Sequence, residues 1–231
     1  MHIERYQAML EEFSKELPKS KFKIIKQLPL LNDDLTNIIY DKHYMVHTNW
    51  AARRLAVNKP EKHIDISSIL YFVSMLSAFI PTTYCEYKQV EPIFNTPSLT
   101  CKKEDMTKLT FESNSIESIS SLHVVEHVGM GRYGDILDFF GDDKVIKELI
   151  RVTKPNGKIY FVVPVSDEPC IIFNAHRIYS KQMIVDMFEG CKLEEFSFIP
   201  MKKDTLIIEN ATEEDMKGED YGCGCFIFTK Q

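Results

Sequence analysis

The chain has little of several things that would narrow its function at once. It has no excess of positive charge: 28 basic residues against 34 acidic ones give a formal charge of −6. No general field draws phosphate backbones to it, and no local basic patch takes that place. Nucleic acid and anionic membrane surfaces are therefore not expected partners. It has no long apolar run either. The longest, Ile64 to Ile80, is interrupted by Asp65 and four serines, and falls short of the about 20 residues that a bilayer-spanning helix needs. Its six cysteines, Cys85, Cys101, Cys170, Cys191, Cys223 and Cys225, are too few to staple a domain of this size. No signal-like segment stands ahead of them, so reduced thiols in a cytoplasmic compartment are expected. The close pair Cys223-Gly224-Cys225 lacks the doubled C-x2-C spacing of structural zinc sites and reads as two small residues of a buried strand. Internal repeats and low-complexity tracts are missing too.

What is present is an ordinary globular balance, 44% hydrophobic, 27% charged and 11% aromatic, which excludes a disordered, collagen-like or coiled-coil chain. A length of 231 residues suits one large domain or a domain with an extension. Residues 1–60 read as helical pieces, 3–16 and 35–57, broken by Pro18, Pro29 and Pro60. They are expected to form an N-terminal helical cap ahead of an α/β domain over 61–231. From Lys62 onward, apolar strand-like runs alternate with helical segments, the signature of a parallel sheet covered on both faces. Strands are predicted at 62–66, 83–87, 99–102, 116–125, 158–164, 193–199 and 225–229, and helices at 68–79, 142–153 and 181–188. The third helix-to-strand turn is marked by Lys154-Pro155-Asn156-Gly157, where proline and glycine stop a helix. The last two strands, separated by the polar stretch 200–221, suit a terminal hairpin.

Ligands of such sheets lie outside the carboxyl ends of the strands. Asp65, Glu86, Asp105 and the run His123 to His127 therefore take the functional reading first. His123-Val124-Val125-Glu126-His127 also fits the H-x-x-E-H pattern of inverted zinc peptidases, but a β-branched run reads as strand, where the two rings need not share a face. His43 and His47 are four apart in a helical region and share a face. With Asp65 or His127 they would make a metal site, although core packing beside Tyr44 and Trp50 explains them as well, and no metal is assigned. The loop 129–135 has the composition of an active-site loop, from which Arg132 and Tyr133 would reach a substrate. In Asn174-Ala175-His176-Arg177, His176 is a candidate general base, since imidazole titrates near neutral pH, and Arg177 would hold an anionic part of the acceptor.

The order of motifs carries a resemblance. Glu104 to Phe111, Asn114 to Ile119, His123 to His127 and Glu148 to Ile159 together resemble the middle of class I S-adenosylmethionine-dependent methyltransferases. The resemblance extends more loosely from His63 to Phe228. A closer one, to a poorly characterised bacterial branch met near surface-glycan genes, rests on His43 to Arg53, Asp65 to Ser68, Gly131 to Asp135, Asn174 to Tyr179 and Tyr221 to Cys225. It implies a Rossmann-like, doubly wound, seven-stranded and mostly parallel sheet of the class I methyltransferase type. The implied activity is methyl transfer from S-adenosylmethionine to an oxygen or nitrogen of a small molecule, a sugar nucleotide or glycan precursor of polysaccharide biosynthesis. It would place Glu86 on the ribose hydroxyls, Asp105 on the adenine amino group and Met106 beside the ring, with Asp65 and His123 lining the same cofactor site. Glu126 and His127 would floor the methyl group, and His127 would share proton acceptance with His176. The first turn departs from the superfamily's Gly-x-Gly: Asp65-Ile66-Ser67-Ser68-Ile69 contains no glycine. Ser67, Ser68 and the following helix N-terminus would then receive the methionine carboxylate. Two other readings remain on that fold: a binding or scaffolding protein that takes no cofactor, and an enzyme with a metal held by His43, His47, His123 or His127.

Overall fold

The structure, a computed structural model, describes residues 3–19, 21, 26–29, 38–88, 90 and 96–231. It separates into two compact units, Met1–Tyr40 and Asp41–Gln231. The first contains helix α1 (Ile3–Ser14), which buries no residue, and a 3-10 turn at Leu17–Lys19 that includes Pro18. Of the helix expected over 35–57, residues 35–37 lie outside the described residues, and the helical part, α2 (Lys42–Asn58), belongs to the second unit.

α2 begins where the Asp41 carboxylate accepts the Tyr44 amide hydrogen at 3.0 Å. It ends at Lys59, whose left-handed backbone (φ 45) returns its N–H to the Leu55 carbonyl, with Pro60 preventing continuation. Its buried residues His43, Val46, His47, Trp50, Ala51 and Leu55 recur at three- and four-residue steps and form one stripe. A half-buried carboxylate, Glu195, clamps that stripe to the sheet by accepting from Trp50 Nε1 (2.8 Å), Arg54 Nε (2.8 Å) and Ser197 Oγ (2.8 Å).

Beyond α2 the chain runs β1 (His63–Ile66), α3 (Leu70–Leu76), β2 (Thr82–Glu86), β3 (Leu99–Lys103), β4 (Ile116–Leu122), α4 (Gly141–Val152), β5 (Thr153–Val165), β6 (Cys170–Ile172), β7 (His176–Ile178), α5 (Lys181–Met187), β8 (Cys191–Ile199), α6 (Glu213–Met216) and β9 (Gly222–Lys230). Seven strands form one sheet in the order β3-β2-β1-β4-β5-β9-β8, and β6 and β7 form a separate hairpin. The first five pair in parallel, while β9 is antiparallel to both neighbours. This is the doubly wound α/β architecture expected from the alternation.

The period of two along β5 decides what each face covers. Ile159, Phe161, Val163 and Val165 point into one core layer with Val145, Ile146 and Leu149 of α4 and Ile184 of α5. Tyr160 and Val162 point into the other, with Trp50 and Leu55 of α2 and Phe72, Val73 and Leu76 of α3. Two features differ from the sequence reading. Lys154 to Gly157 is absorbed into β5, with Asn156 in a left-handed conformation (φ 64) and a register shift opposite Ile116 and Ser118, so the turn signal marks an irregularity inside a strand. The β6–β7 hairpin and α6 occupy stretches that read as loops.

Candidate functional site

The crevice between β1 and β4 lies where the strand order reverses, the place where open α/β sheets bind ligands. Its first wall is the turn after β1. Asp65 is fully buried. One oxygen accepts the Ser68 amide at 3.0 Å and the other a close hydrogen bond from the Ser120 hydroxyl. Ser67 takes the left-handed backbone (φ 55) that glycine ordinarily supplies at such a turn, and its hydroxyl is donated to the Cys85 carbonyl at 3.2 Å. Ser68 Oγ accepts from Leu122 N–H at 3.0 Å. Both serine side chains, expected to receive a carboxylate, are thus engaged with the neighbouring strands β2 and β4, and α3 is only seven residues long. Asp65, expected to line the cofactor site, is likewise sealed beneath the turn.

The acids at the next two strand ends are differently placed. Glu86 is half-buried and accepts one bond at each oxygen, from Tyr84 Oη and from Tyr87 N–H, both at 2.8 Å. Each oxygen retains acceptor capacity. Asp105 is exposed and spends only Oδ1, on Thr107 N–H (2.9 Å) and Thr107 Oγ (2.7 Å). Met106 beside it is half-buried. These residues fit an adenosine: two carboxylates with unspent lone pairs and an apolar thioether stand at adjacent strand ends. The preceding acid, Glu104, which the sequence reading did not single out, is buried and closed off by Lys102 and the Thr110 amide and hydroxyl.

The end of β4 gathers most of the polar chemistry. His123 leaves the strand in a left-handed conformation (φ 58), and a 3-10 turn follows at Val125–His127. This is not the helix an inverted zinc peptidase would need. His123 Nδ1 donates to Glu126 Oε1 at 2.7 Å, and His127 Nδ1 donates to the Ala175 carbonyl at 2.6 Å. In both rings Nδ1 is thus engaged, and Nε2 is the nitrogen left to meet another group. His127 Nε2 lies 3.6 Å from Glu126 Oε1.

α2 and the start of β9 complete this cluster. His43 stacks on His123 at 5.4 Å between ring centres and on Tyr221 at 5.0 Å. His47 lies 5.1 Å from His123, and Tyr44 lies 5.5 Å from it. Tyr221 continues to His176 at 5.2 Å, and His176 to His127 at 6.2 Å. Burial, reinforced by His123, lowers His43 to about 4 and holds His47 well below the ordinary histidine range. Burial and the neighbouring His127 lower His176 as well. Burial and Glu126 push both Tyr44 and Tyr221 up to about 12. These are neutral rings near pH 7. His43 Nε2, both nitrogens of His47, His123 Nε2, His176 Nε2 and Glu126 Oε2 are buried without a hydrogen-bond partner, and each such group costs on the order of 1–3 kcal/mol in an interior.

The remaining expected residues divide. Arg132 donates to the Ala175 carbonyl at 3.2 Å and lies over Tyr133, whose ring meets the edge of His127 at 5.7 Å; both are exposed beside the cluster. Asp135 ties their loop by accepting from Gly129 N–H (2.8 Å), Gly131 N–H (3.3 Å) and Tyr133 N–H (3.2 Å). Arg177 is a correction: it is 6% exposed and donates to the carbonyls of Val128 (2.7 Å) and Phe139 (3.0 Å) while lying 3.5 Å from Asp142. It braces the loop from beneath and has no free face for an acceptor anion. Tyr221 and Cys223, at the site, were not expected there. Cys223 and Cys225 are both buried in β9, as the Cys-Gly-Cys spacing predicts for small residues of a buried strand, and Cys223 stands at the site as well.

Residues 96–218, more than half of the chain, match the family described as "Caenorhabditis protein of unknown function, DUF268". No curated protein matches the chain. Among solved structures, the [4+2]-cyclase SpnF is similar with a TM-score of 0.59 at 12% identity, over 79% of this chain and 80% of that one. A protein described as a sarcosine dimethylglycine methyltransferase, from Galdieria sulphuraria, is similar with a TM-score of 0.56 at 15% identity, over 80% and 85%. A SAM-dependent methyltransferase from Methanosarcina mazei has a TM-score of 0.51 at 12% identity, over 76% and 96%. At such identities the likeness is one of fold: the chain has the Rossmann-like fold of class I methyltransferases. Among the described residues, no helix is long and apolar enough to cross a membrane.

Proposed function

We propose that this chain, which belongs to the family described as "Caenorhabditis protein of unknown function, DUF268", is a methyltransferase that uses S-adenosylmethionine and acts on an oxygen or nitrogen of a small molecule. The observation that carries the reading is the pair of unspent carboxylates, Glu86 and Asp105, at neighbouring strand ends on this fold. Glu86 holds the ribose hydroxyls, Asp105 the adenine amino group, and Met106 packs beside the ring. When bound, S-adenosylmethionine supplies an electrophilic methyl group on a sulfonium. This chain's residues then align an acceptor and remove its proton, because a displacement of that kind is accelerated mostly by proximity and orientation. His127 Nε2 is the proton acceptor best supported by its neighbours: Nδ1–H is fixed on the Ala175 carbonyl, and Glu126 stands 3.6 Å from the accepting nitrogen, ready to stabilise an imidazolium. His176, on the adjacent hairpin, is the second candidate base, and Arg132 and Tyr133 contact the acceptor from the loop above. Glycine is replaced, not missed, at the first turn, since Ser67 adopts the backbone conformation itself. The finer reading, a sugar nucleotide or surface-glycan precursor as acceptor in a cytoplasmic pathway, rests on the sequence resemblance of the His43–Arg53, Gly131–Asp135 and Tyr221–Cys225 segments.

A second reading is favoured by one feature. The two serines and Asp65 of the first turn are committed to internal hydrogen bonds, which suits a methyltransferase fold serving another reaction or a binding role. The [4+2]-cyclase among the similar structures carries a different activity in its name on this fold. Titration calorimetry with S-adenosylmethionine and S-adenosylhomocysteine separates the two. Micromolar binding, weakened at least about tenfold in Glu86→Ala and in Asp105→Ala, is expected, a loss of about 1.4 kcal/mol or more each. Folded protein that gives no heat with either nucleotide excludes the methyltransferase reading.

A further inference from the structure

The buried nitrogens at the end of β4 leave a question that methyl transfer does not answer. Three donor-bearing side chains from three separate elements converge there: His43 from α2, His123 from the end of β4 and Cys223 from the start of β9. One ligand atom from each lies within 4.8 Å of the others, and all three residues are buried. His43 is 4%, His123 7% and Cys223 0% exposed. The Nε2 atoms of His43 and His123 have no hydrogen-bond partner.

We propose that His43, His123 and Cys223 form a three-ligand site for a divalent metal of the zinc class, with its fourth position open to the crevice. The donor set argues for that cation. Two imidazoles and a thiolate suit zinc and exclude magnesium or calcium, which take oxygen ligands. Three protein ligands with one open position is the arrangement of catalytic rather than structural zinc. The surroundings argue for it independently. A ligating histidine nearly always gives its other ring N–H to a carboxylate or carbonyl, which fixes the tautomer. His123 does this with Glu126 at 2.7 Å. Glu126 is itself completely buried, so the hydrogen bond that orients the His123 ring is shielded from water. His47, with both nitrogens unpartnered and its ring 5.1 Å from that of His123, forms the wall behind the site. Zinc–nitrogen and zinc–sulfur bonds of 2.0–2.3 Å imply ligand separations of about 3.4–3.6 Å in a tetrahedron, a geometry within reach of three ligand atoms that already lie within 4.8 Å of one another. Loading displaces the Cys223 thiol proton to solvent as the metal–sulfur bond forms. The open position would take water or an oxygen of the acceptor, which the cation would polarise. The site neither requires nor excludes a methyl donor.

The test uses the full chain, stripped with a chelator, shown to be folded by circular dichroism, and reloaded with zinc or cobalt. About one metal per chain is expected by elemental analysis, retained in Cys191→Ser and reduced at least about tenfold in occupancy in His123→Gln and Cys223→Ser after dialysis. Cobalt-loaded wild-type protein should show a thiolate-to-cobalt charge-transfer band in the near ultraviolet that Cys223→Ser lacks. Should the variants fail to fold, the wild-type cobalt spectrum decides alone, since the band reports a sulfur ligand. Folded wild-type protein that takes up no stoichiometric metal overturns the proposal, as does bound cobalt without that band. Calorimetry with S-adenosylhomocysteine on stripped protein keeps this result separate from the methyltransferase reading.

Discussion

Asp65 shows how a residue's place in the fold decides its chemistry. It is fully buried, and burial pushes its carboxyl up to about 6 although Ser120 and Ser68 hydrogen-bond to its charged form. A carboxyl with a raised folded value contributes stability that is complete below its unfolded value near 4 and is lost as pH rises through about 6. About two units correspond to about 3 kcal/mol. Asp65→Asn should therefore gain on wild type by up to about that amount between pH 4 and pH 7 in urea denaturation. The difference isolates Asp65, because His63, which burial lowers to about 3, has the opposite dependence and is common to both proteins. Parallel pH profiles would show that Asp65 is not buried as described. The strand-end position of Asp65, Glu86 and Asp105 was legible in the sequence from the alternation of strands and helices. Which of them remained free was not, because that depends on partners such as Ser120 and Thr107 that the pattern does not place. The same holds for Arg177: its position after β5 suggested a ligand, and only the hairpin geometry turns it inward onto the Val128 and Phe139 carbonyls.

Among the elements, the loop from Gly129 to Asp138 is held by its backbone. Gly129 has φ 79, and a Cβ there would lie 2.0 Å from the Asp138 carbonyl oxygen. Gly134 has φ 83 but open space around its Cβ position. Gly129→Ala should combine a clash with strain and cost about 2 kcal/mol or more, whereas Gly134→Ala should cost about 1 kcal/mol from strain alone. Denaturation midpoints compare them, and equal losses would contradict the loop geometry. The long strands and amphipathic α4 were legible because burial imposes a period on them. β6 and β7 were not, because three-residue strands with an exposed Cys170, Ile171 and Ile172 have no period to read. Of the cluster His43, His123 and Cys223, the two histidines were already in the metal set that the sequence suggested; Cys223 was not, because β4 and β9 are far apart in sequence and the sheet order brings their ends together.

For the whole molecule, the strand order β3-β2-β1-β4-β5-β9-β8 places the carboxyl ends of the parallel strands and the start of β9 on one edge. That single edge holds the proposed adenosine contacts at β2 and β3 and the imidazole cluster at β4, α2 and β9. The proposed function requires that this edge take S-adenosylmethionine. Hydrogen exchange of the full chain with and without S-adenosylhomocysteine tests it most directly, because slowed exchange locates the ligand on the backbone. Protection is expected at residues 66–70, 86–88 and 105–107, with α5 unchanged. No change at those three segments under saturating nucleotide, or protection confined to other parts of the chain, would contradict it.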